Sequence, residues 1–378
     1  MLVVAKHNIL ILILLFILKR DFLIDINLLI SENAKLVDKQ LKQYIPTIAS
    51  EEYISSILNK PKYAYDNQAF TKSILNPFWY LLDLGGKRWR PTLMLLFIEA
   101  LGKNSKDYLR FCIIPEVIHN ATLVHDDIED KSETRRGAPA VHIKYGIDVA
   151  TNLGDFMQFF PMRIFSSDPK LSLEIKNKLF GCYIENLTRV TVGQGVDIAW
   201  HAGLINLENI TEQNYLQMST DKTGVLARLS CEFAGIFAEI DEKTIKTIGD
   251  FGAGIGVAFQ IQDDILNIDE SKVSESKGGV GDDITEGKIS LMVIHTLKKA
   301  SEGDKKSLLS ILAEHTTDKE KISKAISILN KYDSIKYSKK IAQKIINEAW
   351  EKVEPVLKES KAKEQLKEFA EFMINRSR

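Results

Sequence analysis

The stretch Leu123-Val-His-Asp-Asp-Ile-Glu-Asp130 sets four acidic residues in five positions, directly after an apolar run. On a helix, Asp126 and Asp130 fall one turn apart on one face, and Asp127 lies beside them, three residues from Asp130. Like charges at that spacing destabilise an exposed helix by only about 0.2–0.5 kcal/mol per pair, so a solvated acidic face is one reading. The surroundings favour another. Ile113, Ile114, Val117, Ile118, Leu123 and Val124 embed the motif in apolar sequence, where an unpaired carboxylate costs several kcal/mol. A second acidic pair, Asp263-Asp264, interrupts another apolar run that begins at Val257. Two half-buried carboxylate clusters call for cations, and hard oxygen ligands suit magnesium better than zinc.

Cationic residues cluster in two places. Gly85-Gly86 leaves the backbone free to approach a ligand, and Lys87, Arg88 and Arg90 follow at once. That composition suits a phosphate or diphosphate. The competing account is a glycine-terminated helix followed by a basic helix start. Arg135-Arg136-Gly137 lies just past the acidic motif. At a helix end, adjacent arginines point to different sides, so each can hold a different anion; a salt bridge to Glu129 or Glu133 is the alternative. His119 lies two helical turns before Asp126 and so on the same face, where packing and ligand contact are both open.

The elements that must position these groups read as helices. Apolar content is 45% and charged content 27%, as in a globular protein with a sizeable core. The net charge of −1 gives no pull toward nucleic acid or an anionic membrane surface. Cys112, Cys182 and Cys231 are far apart with no CxxC, which indicates neither a disulfide framework nor a zinc site. A reducing, cytoplasmic setting is the simplest reading. Residues 1–25 contain an apolar run, Ile9 to Leu18, shorter than the roughly 20 residues of a membrane span. A weak membrane anchor, a processed leader and an upstream start are the readings it allows. From Ile26 onward apolar residues recur at helical spacing, strand-like alternation is scarce, and no linker or repeat divides the chain. The expectation is a single, nearly all-α domain over 26–378, closed by amphipathic helices from Lys319. Gly252-Ala-Gly-Ile-Gly256 lacks both the spacing and the preceding strand of a dinucleotide fingerprint, so its glycines are expected to let two helices pack closely.

Taken together, the motifs resemble a known family. Leu84-Gly-Gly-Lys-Arg-Trp-Arg-Pro91, Ile118-His119, His125-Asp-Asp-Ile-Glu-Asp130 and Arg135-Arg136-Gly137 occur in order. Gly154-Asp155, Gly193-Gln194 with Asp197, Lys222-Thr223, Phe259-Gln-Ile-Gln-Asp-Asp264 and Gly287-Lys288 follow. This pattern resembles the trans-type isoprenyl diphosphate synthases (the polyprenyl synthase family), and most of all their geranylgeranyl members. The resemblance implies a helical bundle around a central cavity, a homodimer, and about three magnesium ions per site. It implies isopentenyl diphosphate and an allylic diphosphate as substrates. Asp126, Asp127, Asp130 and Asp263 would bind magnesium, with Asp264 in support. Lys222, Lys288 and Arg135 would hold the allylic diphosphate. Lys87, Arg90, His119 and Arg136 would hold isopentenyl diphosphate, and Thr223 and Gln260 would face the allylic cation. Three departures stand out: Asn267 replaces the last Asp of the second acidic motif, Met292 replaces a common Pro, and a longer loop leaves the part played by Lys277 open.

By the same resemblance, Ala121 and Thr122 line the channel for the growing chain, and their small size argues against a fifteen-carbon stop. Phe159 or Phe160 is expected to floor that channel, unless these rings only pack against neighbouring helices. Geranylgeranyl diphosphate is the expected product, with a C25–C35 synthase as the alternative. A terpene cyclase would leave Lys87, Arg90 and Arg136 without a second diphosphate to hold. A non-catalytic partner subunit would be expected to have lost an acidic motif, and this chain keeps both.

Overall fold

Helices follow one another through residues 25–268 and 281–375, which this computed structural model describes; the Ile9–Leu18 run and Lys277 lie outside them. The order is α1 (Ile26–Tyr44), α2 (Glu51–Leu58), α3 (Asn67–Phe70), a π-helical turn (Thr71–Leu75), α4 (Asn76–Asp83) and α5 (Trp89–Ala100). A 3-10 segment (Ser105–Phe111) leads into α6 (Ile113–Glu129), then a hairpin of β1 (Thr134–Arg135) and β2 (Ala138–Pro139). Next come α7 (Val141–Tyr145), α8 (Ile147–Phe159), α9 (Pro161–Ser166), α10 (Leu173–His201), a 3-10 turn (Leu207–Asn209) and α11 (Glu212–Ser219). A second π-helical turn (Thr220–Gly224) enters α12 (Val225–Ala238), followed by α13 (Glu242–Ile268) and α14 (Asp282–Thr285). The chain closes with α15 (Leu291–Lys299), α16 (Glu302–Ala313), α17 (Lys319–Lys331), α18 (Ser334–Val353), a 3-10 turn (Glu354–Val356) and α19 (Lys361–Asn375).

Local chemistry sets the starts. Asp25, Ser50 and Ser172 each accept a hydrogen bond from the backbone N–H three residues on, the capping that satisfies one of a helix's orphan donors. Thr211 and Asn214 form a reciprocal capping box at α11.

Helices apolar all round belong in the interior. α5 buries every residue except Glu99, and in α12 only Arg228 and Glu232 escape full burial. α12 packs on α5, α10 and α13; α13 leans on α18 and α5 on α19. Phe237 of α12 stacks on Phe111 with ring centroids 4.6 Å apart, and truncating such a buried ring to Ala costs about 3–5 kcal/mol. The outer helices are amphipathic: α17 buries Ile322, Ala325, Ile326, Ile328 and Leu329 and turns its lysines outward.

Glycines let the central helices approach backbone to backbone. A Cβ on Gly252 would lie 2.6 Å from the Ala227 carbonyl oxygen, and one on Gly256 2.5 Å from Gly224 Cα. A Cβ on Gly193 of α10 would collide with the Lys222 backbone. The run Gly252–Gly256 is therefore a packing seam, as its sequence suggests. No helix among the described residues is long and apolar enough to cross a membrane.

Candidate active site

The last turn of α6 carries the first acidic motif. Asp126 is half-buried; it accepts from Gln194 Nε2 at 3.1 Å and pairs with Lys222 Nζ at 3.3 Å and Arg135 at 3.6 Å. Burial works to raise its pKa, but Lys222, Lys288 and Arg135 outweigh that and hold it below the ordinary range. Asp130, the C-cap one turn on, is pushed up to about 7 by burial and by the Asp126 charge. These two crowded carboxylates share the face expected of them.

Asp127 does not join them. Successive helix residues point about 100° apart, and Asp127 is only 1% exposed. Its Oδ1 accepts from Arg135 Nε at 2.8 Å and from the same guanidinium's Nη2, while its buried Oδ2 has no hydrogen-bond partner among the described residues. Asp127 is expected to face the metal with its neighbours; in this structure its side chain turns inward and pairs with Arg135. Arg135 and Arg136 themselves stand on the β-hairpin rather than at a helix end. Arg136 and Gly137 make its two-residue turn, with φ of 53° and 77°, the positive values such a hairpin demands. Tyr80 of α4 ties the hairpin down by donating to the Pro139 carbonyl at 2.7 Å.

The second acidic motif ends α13. Asp263 is half-buried, and its charge acts on Arg90 and Asp283. Asp264 is buried and accepts from Tyr215 Oη at 2.8 Å and Gln260 Nε2 at 2.7 Å. Burial, then the nearby Asp283, push it up to about 8. Thr223 donates to Gln260 Oε1 at 2.9 Å, so the two residues expected beside the allylic cation are linked to each other and to Asp264. Asn267 accepts the Asp283 N–H at 3.1 Å and thereby ties the end of α13 to the start of α14.

Two lysines stand among these carboxylates. Lys222, on the π-helical turn, pairs with Asp197 Oδ2 at 2.5 Å as well as with Asp126. Lys288 pairs with Glu286 and, at 3.4 Å, Asp283, and its charge acts on Asp126, Asp130 and Asp264. Both acidic ends therefore converge on Lys288. Among the described residues no three His, Cys, Asp or Glu side chains are already gathered as a metal site; the carboxylates lean on Lys222, Lys288 and Arg135 instead. The donor set nevertheless fits a hard divalent cation: Asp126 and Asp130 offer oxygens only, and their mutual repulsion, visible in the raised Asp130, is relieved by positive charge.

On the other side lies a cationic pocket. His119 of α6 is held far below its usual pKa by burial and by the charges of Arg90, Arg136, Arg135 and Arg88, so its imidazole is neutral. Arg90 is buried against Trp89, its guanidinium 4.3 Å from the ring centre, and burial lowers it to about 10; its Nε has no hydrogen-bond partner among the described residues. Arg88 is 4% exposed and pairs with Glu116 at 2.8 Å and Asp38 at 3.1 Å. Lys87 is exposed on the same loop.

Of the expected channel residues, Ala121 is fully buried and Thr122 half-buried, its hydroxyl donating to the His119 carbonyl at 2.8 Å. Phe160 is 5% exposed and stacks on Phe156 at 5.2 Å, and Phe156 meets Phe70 edge-on at 5.9 Å. Phe159 is 64% exposed and lines an open groove of about 560 Å³. Arg88, Glu116 and Tyr215 went unassigned in the sequence. For Glu116 a signal existed: a lone acid inside an apolar run, one turn before His119 and Asn120.

The model of the polyprenyl synthetase family matches residues 71–329. The chain is 34% identical to a short chain isoprenyl diphosphate synthase of Methanothermobacter thermautotrophicus, over 81% of this chain and 91% of that protein. It is 31% identical to a geranylgeranyl diphosphate synthase of Saccharolobus solfataricus, over 86% and 97%. The crystal structure of geranylgeranyl pyrophosphate synthetase from Pyrococcus horikoshii superposes with a TM-score of 0.78 at 30% identity, covering 93% of this chain and 98% of that one.

Proposed function

This chain belongs to the polyprenyl synthetase family and is a trans-isoprenyl diphosphate synthase; from that premise we propose that its main product is geranylgeranyl diphosphate and that the two sides of its site hold different substrates. One observation carries the division of labour. The α6 carboxylates lie in the field of Lys222 and Lys288, and Lys288 also reaches Asp264 of α13, whereas Arg90, Arg136 and the neutral His119 gather as a cationic cluster with Asp263 acting on Arg90. The first side takes the allylic diphosphate and the second takes isopentenyl diphosphate.

The family uses divalent metal ions, and magnesium suits the oxygen donors Asp126, Asp130 and Asp263 best. When bound, it neutralises charge that grows on the leaving diphosphate. The chain's own residues do the rest. Lys222, Lys288 and Arg135 hold the allylic diphosphate as its C–O bond breaks, supplying fixed positive charge where negative charge develops. Thr223 and Gln260 face the allylic cation with oriented dipoles. Lys87, Arg90, His119 and Arg136 fix isopentenyl diphosphate so that its double bond attacks that cation, a gain of orientation rather than of acid–base chemistry. The proton is then lost to the departing diphosphate. No protein nucleophile takes part.

Product length rests on Ala121, Thr122 and the Phe156–Phe160 stack. Small side chains near the metals leave the channel open, and the stacked rings close it further down. Incubating the protein with magnesium, labelled isopentenyl diphosphate and each candidate primer, then sizing the products, is expected to give mainly twenty-carbon chains. Ala121→Phe should shorten them and Phe160→Ala lengthen them, while Phe159→Ala leaves the distribution unchanged. Wild-type chains of thirty carbons or more, unaffected by Phe160→Ala, would place the floor elsewhere. A homodimer is the expected assembly, supported by apolar side chains left exposed on α8 (Ile147, Phe159) and α10 (Ile184, Val192); sedimentation at micromolar concentration tests it.

A further inference from the structure

Among the arginines of the cationic pocket sits a buried carboxylate, Glu116 of α6, 2% exposed, whereas Asp38, the other partner of Arg88, is half-exposed. Its Oε1 accepts from Arg88 Nη1 at 2.8 Å and from Asn120 Nδ2 at 2.7 Å. Arg88 passes the contact on to the glycine loop: Nη1 donates to the Gly85 carbonyl at 3.2 Å and Nη2 to that of Leu82 at 3.0 Å. Arg136, from the hairpin, donates to the same Gly85 carbonyl. The loop needs such restraint. Gly85, Gly86 and Arg88 have φ of 94°, 141° and 52°, and a non-glycine residue at positive φ persists only where its surroundings over-determine it. The approach is close as well: a Cβ on Gly86 would lie 2.6 Å from Arg88 Nη1 and 3.2 Å from Arg136 Nη2.

We propose that Glu116 is a positioning residue for isopentenyl diphosphate, which through Arg88 fixes the Gly85–Gly86 loop that presents Lys87 and Arg90. The inference rests on the assignment of this pocket to isopentenyl diphosphate. It predicts selectivity, because the allylic side draws its own counter-charges from Asp126, Asp197 and Asp283 and Glu116 touches none of its lysines. The charge of Glu116 reaches Arg88, Arg90 and Arg136, all in the one pocket.

The test is steady-state kinetics of Glu116→Gln with each substrate varied in turn. The KM for isopentenyl diphosphate should rise about tenfold, the loss of roughly one charged hydrogen bond, with kcat and the allylic KM little changed. Arg88→Lys keeps the charge beside Glu116 but lacks the fork that reaches both carbonyls; it should show the same selective rise, and it stands as the test if Glu116→Gln fails to fold. Equal effects on both substrates, a loss confined to kcat, tighter binding of isopentenyl diphosphate, or unchanged kinetics in a folded variant would each overturn the proposal. Arg90→Ala separates this from an error in the pocket itself. If Arg90→Ala raises the allylic KM, the pocket is misassigned; if it raises that for isopentenyl diphosphate while Glu116→Gln and Arg88→Lys do not, only the role of Glu116 falls.

Discussion

The two acidic motifs share a plan and differ in what holds it. Each presents a half-buried first aspartate, Asp126 or Asp263, and buries the second, Asp127 or Asp264. Asp127 is held by a guanidinium, that of Arg135. Asp264 is held by neutral donors, Tyr215 and Gln260, and burial with the nearby Asp283 pushes its pKa up to about 8. One inner carboxylate therefore fixes a guanidinium. The other organises a phenol, an amide and, through Gln260, the hydroxyl of Thr223. Adjacent acids in one motif are not interchangeable, and neither are corresponding acids in two motifs.

The largest effect should come from an outward carboxylate. Asp126→Ala is expected to cut turnover about a thousandfold, the scale of losing charge stabilisation at a leaving group, with the far-ultraviolet spectrum unchanged. Asp127→Asn should cost less turnover and more stability; equal losses of turnover would erase the distinction between outward and inward positions. Chelation by EDTA should abolish activity, and magnesium should restore it. Activity that survives chelation would remove the reason for the outward carboxylates altogether.

Effects on stability should then separate the inner two. Arg135→Ala leaves Asp127 buried without its cation, which should cost about 2–3 kcal/mol in urea unfolding, less than a fully trapped charge because Asp127 can take up a proton. Tyr215→Phe removes one neutral hydrogen bond from Asp264 and should cost only about 1 kcal/mol. A phenol worth as much as the guanidinium would mean that Asp264 is ionised in the folded protein and the contrast is false.

The fold and the family were legible because they depend on many residues at once. Helical spacing, scarce alternation and ordered motifs mark an all-α bundle and the lysines and aspartates of a candidate site. What escaped depends on orientation by a single residue step. Residue type and spacing do not separate Asp127 from Asp126; the helix turns Asp127 inward onto Arg135. Phe159 and Phe160 could not be told apart until the end of α8 fixed which ring turns inward. Arg135-Arg136-Gly137 suits a helix end by composition, and only the structure shows it as a tight hairpin with positive φ at Arg136 and Gly137. Tyr215 and Glu116 lie far in sequence from the groups they touch, Asp264 and Arg88, and only the packing of α11 on α13 and of α5 on α6 joins them.

The glycine seam has a mechanical meaning. Side chains are the compliant part of a protein interior: they change rotamer, lean and refill space when a neighbour changes. At Gly193, Gly224 and Gly256 backbone meets backbone with no side chain between, so the π-helical turn bearing Lys222 and Thr223 rests on hard stops. Exchanges among leucine, isoleucine and valine elsewhere in the core can be absorbed without altering the reach of Lys222 to Asp126. A single methyl group in the seam has no such slack, and would act as a shim that lifts the turn from its seat.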